Sequence, residues 1–223
     1  MKEIDALIAK AQKFKESGLT EYEIAEELNV SKDTATWLLT KGKEKKPEGD
    51  LKIGWRSIGV SPMRIASIST ALADIILEEA RNRDLDLTGV VGIAINGVPF
   101  ATYVAEELGL DLIIYRPRYE KTGAFSSNYA TVENKTVVIV DDVVGSGETF
   151  RNAIKAIKAE KGTPALCVCI INKRSTNEVG GVPLRSLLRA RALSGFDRRL
   201  KGALCIGLRL SQTNFFRNNH VTF

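Results

Sequence analysis

Val137-Val-Ile-Val-Asp-Asp-Val-Val-Gly-Ser-Gly-Glu-Thr149 decides how this chain is read. Four β-branched residues supply a buried strand, two acids stand at its carboxyl end, and a Gly/Ser/Thr loop opens the next helix. A loop of that kind aims backbone N–H groups, hydroxyls and the positive end of the helix dipole at one spot, which suits a phosphate. Adjacent carboxylates at Asp141 and Asp142 accept hydrogen bonds from neighbouring sugar hydroxyls. Together these features describe a sugar-phosphate site at the carboxyl edge of an open α/β sheet. The plainer alternative is a strand-end acidic pair that only caps a turn. A nucleotide-hydrolase metal strand would need a G-x-x-x-x-G-K-[ST] loop, which the sequence lacks, and Gly92-Ile-Ala-Ile-Asn-Gly97 misses the middle glycine of a dinucleotide fingerprint.

The flanking sequence repeats the alternation of strand and helix. Residues 90–95 read as a buried strand ending at Asn96-Gly97, residues 99–108 as a helix and residues 110–116 as a second strand. Residues 136–140 are a third strand, residues 148–160 a helix, residues 165–172 a further strand, and residues 63–80 an amphipathic helix ahead of them all. The expected architecture is α/β, a mostly parallel sheet with helices on both faces.

Upstream the pattern changes. Ile4, Leu7, Ile8, Ala11 and Phe14 make an amphipathic stripe that stops at Gly18. Thr20-Glu-Tyr-Glu23 is a capping box for a second helix reaching Leu28, and Asn29-Val-Ser31 is a tight turn whose Ser31 caps a third helix. Three short helices with a tight turn between the last two predict a helix-turn-helix, whose last helix would read DNA. Ser31, Lys32, Asp33, Thr34 and Thr36 stand where such a helix meets bases, and Lys41 where it meets a phosphate; Trp37 suits packing better than base stacking. A three-helix packing domain without nucleic-acid contact is the alternative. The charged, Gly- and Pro-broken run after Thr40 marks a linker. The predicted divisions are residues 1–42 for the helical module, 43–52 for the linker, 53–192 for the α/β domain and 193–223 for a basic tail.

The central motif resembles the phosphoribosyl-diphosphate signature of the type I phosphoribosyltransferases. That resemblance implies ribose contacts from Asp141 and Asp142, 5-phosphate contacts from Gly145, Ser146, Gly147, Glu148 and Thr149, and a pyrophosphate-holding loop at Asn96 and Gly97. Gly145 departs from the Thr, Ser or Ala more usual there. The match is similar to the orotate branch, in which Arg116 would begin a flexible catalytic loop. Orotate enzymes carry a lysine-rich loop there, whereas this chain has Pro117, Glu120 and Thr122 at the lysine and aromatic positions and only Lys121, shifted by one, as a candidate cation beside Arg118. Such cations stabilise the departing pyrophosphate, and losing one well-placed donor costs about 10²–10³ in rate. Binding is therefore expected to outlast turnover. Magnesium would come with the ligand's pyrophosphate, and no tightly bound cofactor or protein metal site is expected.

Helix-turn-helix joined to this fold resembles the archaeal GfcR-type regulators of sugar catabolism, as does Trp55-Arg-Ser-Ile-Gly59. The resemblance implies a cytoplasmic, dimeric regulator of sugar metabolism that binds double-stranded promoter DNA and senses a phosphorylated sugar or phosphoribosyl metabolite. The two sites would use separate residues. The alternative is an active orotate or purine phosphoribosyltransferase with a helical appendage.

Charge alone does not argue for DNA. Residues 1–50 carry nine Lys against eleven Asp and Glu, residues 51–180 carry fifteen of each sign, and residues 181–223 hold eight Arg and Lys against Asp197, so the tail makes the net +5. Between Val30 and Lys46, however, five lysines face Asp33 and Glu44, which is a local excess where DNA would lie. The tail is either a nucleic-acid-binding extension or an end foreign to the family pattern. Cys167, Cys169 and Cys205 lack metal-ligand pairing and read as free thiols in a reducing compartment, and His220, the only histidine, leaves little room for histidine catalysis. No apolar run is long enough to span a membrane.

Overall fold

The computed structural model describes residues 2–40, 50–118 and 121–191. Lys41, most of the predicted linker, Glu120 and the tail with Cys205 and His220 lie outside the described residues, as do the side chains of Lys121 and Thr122.

The chain opens with α1 (Lys2–Glu16), α2 (Glu21–Leu28) and α3 (Lys32–Leu39). The capping box forms as its residues require: the Thr20 amide donates to Glu23 Oε2 at 2.8 Å, and the Glu23 amide donates to Thr20 Oγ1 at 3.3 Å. Asn29 ends α2 in the left-handed conformation at φ 52, and the Ser31 side chain accepts the Thr34 amide to start α3. Ala11, Ile24, Ala25, Leu28, Ala35 and Leu38 form the buried centre of the three helices, with Trp37 packed against it.

Next come α4 (Arg56–Gly59), α5 (Pro62–Arg83), β1 (Gly89–Ile93), α6 (Gly97–Leu108), β2 (Asp111–Arg118) and β3 (Lys121–Phe125). The chain continues through β4 (Thr136–Val144), α7 (Glu148–Ala159), β5 (Thr163–Asn172), β6 (Glu178–Val179) and β7 (Val182–Arg189). The strands form one sheet in the order β3-β2-β1-β4-β5-β7-β6, in which β2, β1, β4, β5 and β7 run parallel. This is the mostly parallel sheet, covered on both faces, of the type I phosphoribosyltransferase class. None of the described helices is long and apolar enough to cross a membrane.

Alternation along β4 fills two cores. Val137 and Ile139 join the cluster beneath α7, and Val138 and Val140 join the one beneath α5 and α6. Cys167 and Cys169 point together into the first cluster as free thiols, and burial pushes both thiols up from their ordinary pKa. β4 runs farther than expected: it passes through Asp141 and Asp142 to Val144 and stays paired with β5 up to Val144 and Asn172. Arg116 likewise lies in a strand, where the resemblance implied a flexible loop; β2 and β3 form an antiparallel hairpin.

Connectivity fixes where a ligand can sit. β1 leads through α6 to β2 on one side, whereas β4 leads through α7 to β5 on the other. The two connections diverge, so a crevice opens beyond the carboxyl ends of β1 and β4.

Candidate functional site

Two segments meet in that crevice. Asn96 and Gly97 open α6 at the end of β1, and the approach is so close that a Cβ on Gly97 would stand 2.5 Å from the Val140 carbonyl oxygen and 3.0 Å from Asp141 Cα. Across from them Asp141 and Asp142 retain only 5% and 4% of their accessible surface, a burial that charged residues rarely show without partners. The partners are local. The Asp142 amide donates to Asp141 Oδ1 at 2.9 Å, the Val143 amide to Asp142 Oδ1 at 2.7 Å, and the Trp55 indole N–H to Asp142 Oδ2 at 2.6 Å. Trp55 itself stacks edge-on to Phe100. Burial raises the pKa of both carboxyls, that of Asp141 well above its ordinary value, and the Asp142 and Glu26 charges add to the effect on Asp141.

Gly145, Ser146 and Gly147 turn the chain into α7. Gly147 adopts φ 78, a left-handed conformation that glycine tolerates at the helix entrance. The Ser146 carbonyl accepts from Arg151 Nη1 at 3.0 Å and also from Arg174 Nη1, while the Ser146 hydroxyl accepts the Glu148 amide. Two guanidinium groups therefore flank a loop whose helix end already favours an anion. Among the described residues, Arg174 Nε is the one buried side-chain nitrogen or oxygen without a hydrogen-bond partner.

The helical module roofs this loop. A cavity of about 480 Å³ is lined by the Asp141–Phe150 segment from below and by Tyr22, Glu26, Ser31, Lys32 and Asp33 from above. Tyr22 and Thr149 share a 2.6 Å hydrogen bond between their hydroxyls. Glu26 keeps contact with the cavity space, yet the surrounding protein and the Asp142 charge raise its pKa to about 7. At the same edge the Ser31 amide donates to Asp50 Oδ2 at 2.6 Å, and Lys173 Nζ donates at 2.6 Å to both Asp50 Oδ1 and the Leu51 carbonyl. A second cavity of about 950 Å³ lies beside Asn96, Arg116 and Arg118, again with Tyr22 and Glu26 in its wall.

The structure thus brings Asp141, Asp142 and Gly145–Thr149 together with Asn96 and Gly97 across the crevice, and sets Arg116 in the wall of the larger cavity. It also departs from the expected separation of sites, because Ser31, Lys32 and Asp33 line the same cavity as Gly145–Thr149. The hydroxyls of Thr34 and Thr36 on α3 are engaged within the module. Thr34 accepts from Ser31 Oγ at 3.0 Å, and Thr36 Oγ1 donates to Glu21 Oε2 and the Lys32 carbonyl, both at 3.1 Å. Sequence reasoning missed Tyr22, Glu26, Asp50, Arg151, Lys173 and Arg174 as neighbours of the site. For Lys173 and Arg174 a signal existed: they follow a strand parallel to β4, and parallel strands deliver their carboxyl ends to one edge. No group of three or more His, Cys, Asp or Glu among the described residues is arranged to hold a metal ion.

Residues 54–180 match the family model of the phosphoribosyl transferase domain. The chain is 46% identical over 199 residues to the transcriptional regulator GfcR of Thermoplasma acidophilum, which covers 87% of this chain and 100% of that protein. It is 43% identical over 191 residues to the regulator of the same name from Picrophilus torridus, with coverage of 85% and 98%. Among solved structures, adenine phosphoribosyltransferase from Thermoanaerobacter pseudethanolicus is similar with a TM-score of 0.53 at 17% identity, covering 66% of this chain and 91% of that one. A likeness at that identity speaks for the fold alone.

Proposed function

The chain belongs to the phosphoribosyl transferase domain family, among the GfcR transcriptional regulators, and from that premise we propose that it controls transcription by sensing a phosphoribosyl-type metabolite in the crevice between β1 and β4. The observation that carries the reading is the Gly145–Thr149 loop at the start of α7, flanked by Arg151 and Arg174 and set beside two buried carboxylates. A sugar phosphate satisfies both parts at once, with its phosphate on the loop and helix end and its hydroxyls donating to Asp141 and Asp142. Asn96, Gly97 and Arg116 would take a second phosphate or pyrophosphate, and a magnesium ion would enter as part of that ligand. The recognition surface for double-stranded DNA is the leading part of α3, Ser31 to Thr36, with Lys41 beyond it. One helix-turn-helix reads one half-site, so the working form is a homodimer.

Turnover is expected to be absent or slow, because the hairpin that replaces the lysine-rich loop offers Arg116 and Arg118 but Pro117 between them. Calorimetric titration with phosphoribosyl diphosphate should give saturable binding, weakened about 10–100-fold by Asp142→Asn, the range for a lost hydrogen bond to a charged group. Heats unchanged by that substitution contradict the assignment. Arg116 and Arg118 beside Asn96 favour the transferase as a second reading. Robust pyrophosphate release with a nucleobase, together with no retention of DNA, would establish it in place of the regulator.

A further inference from the structure

Tyr22 and Glu26 lie four residues apart on α2, so they project side by side from one face. Both line the cavity above the phosphate loop, and both also line the larger cavity beside Asn96 and Arg116. Their ridge therefore stands between the two halves of the crevice. The Tyr22 hydroxyl holds Thr149 Oγ1, the loop hydroxyl that a bound phosphate would use. Glu26 adds a carboxylate beside Asp142, which repels an entering anion whenever it is ionised. α3 is bound to the ridge through the shared core of Ile24, Ala25 and Leu28 against Ala35 and Leu38. Its first residues, Ser31 to Asp33, line the smaller cavity.

We propose that α2 is the lid of the ligand site, and that a sugar carrying phosphate groups at both ends lifts it and frees the recognition helix. The inference rests on the ligand reading above and adds that the DNA-binding module is itself the gate. A ligand reaching from residues 145–149 to Asn96 would span the two cavities whose shared wall includes Tyr22 and Glu26. A ligand confined to one half meets only the Tyr22 contact. The closed form is then a state that such a ligand disfavours, and the population shifts to the open form by the difference in its affinity for the two.

The full chain with Cys205→Ser, spin-labelled at Glu16→Cys on α1 and Glu107→Cys on α6, two exposed positions, reports the opening. Saturating phosphoribosyl diphosphate should move the distance distribution to longer values, whereas ribose 5-phosphate should move it less. Tyr22→Phe should shift the ligand-free distribution partway in the same direction. It should also tighten phosphoribosyl diphosphate binding about 2–10-fold, the range for one competing hydrogen bond. Saturable binding with unchanged distances overturns the lid and leaves the ligand reading standing. Weaker binding by Tyr22→Phe also overturns it, by making Tyr22 a ligand contact. Absence of saturable phosphoribosyl diphosphate binding removes both inferences.

Discussion

Gly97 carries the tightest constraint in the crevice. A methyl group there would meet the Val140 carbonyl at 2.5 Å and Asp141 Oδ1 at 3.1 Å, and the first of these is backbone in a central strand. The carbonyl cannot rotate away, so Gly97→Ala should destabilise the fold by about 1–3 kcal/mol, the range for overpacking a filled interior. Urea unfolding monitored by circular dichroism would measure it, and an unchanged midpoint would show that α6 can retreat from β4. At this scale the sequence was informative where chemistry is unusual for its surroundings. Paired acids after four β-branched residues, followed by Gly-Ser-Gly, have few other uses, and that contrast identified Asp141 to Thr149. Trp55, Asp50, Lys173 and Arg174 were not recognisable in this way, because each acts on a partner far along the chain: Trp55 on Asp142, Lys173 on Asp50, Arg174 on Ser146.

Helix α2 shows what an element adds to its residues. Thr20, Glu23 and Asn29 announce its ends, because a cap is a local hydrogen bond written in four residues. The face it turns to the crevice is not written locally. That face gives α2 a pH dependence with a definite sign. In the closed arrangement the protein packed around a carboxylate that still opens onto the cavity, the Asp142 charge and neighbouring Glu27 raise the Glu26 pKa from 4.5 to about 7, against a hydrogen bond from Tyr22 that lowers it. Lifting α2 returns Glu26 to water, so the closed form holds more protons than the open one between those values. Closure should be strongest below about pH 4.5 and weaken as the pH rises through about 7. The spin-label distances should lengthen across that window, and Glu26→Gln should flatten the change; distances that shorten with rising pH would contradict the assignment. The β strands teach the complementary lesson. β1 and β5 were legible from apolar runs, but β4 outlasted its prediction because acids argue against a strand interior unless, as here, the pairing with β5 and an indole N–H sustain them. The β2–β3 hairpin was missed because polar, proline-containing sequence reads as loop.

At the scale of the whole molecule, residues 1–191 form one compact unit. The helical module reaches the α/β part through the Tyr22–Thr149 hydrogen bond and through Asp50, whose side chain joins the Ser31 amide to Lys173. Composition and periodicity pointed to two parts, yet carried no information on how one rests on the other, since that depends on contacts such as Tyr22–Thr149 and Asp50–Lys173, between residues more than a hundred positions apart. In the proposed mechanism ligand and DNA binding form a single equilibrium, so each alters the affinity for the other by the same factor. The most direct test is the affinity of the full chain for double-stranded DNA selected by it from a random pool, measured by fluorescence anisotropy with and without saturating phosphoribosyl diphosphate. Opening of the lid predicts DNA binding tightened by about 5–150-fold, the usual span of such couplings, with the ligand concentration needed for the effect raised in Asp142→Asn. An equal affinity in both conditions, at ligand concentrations shown to saturate the protein, would contradict it.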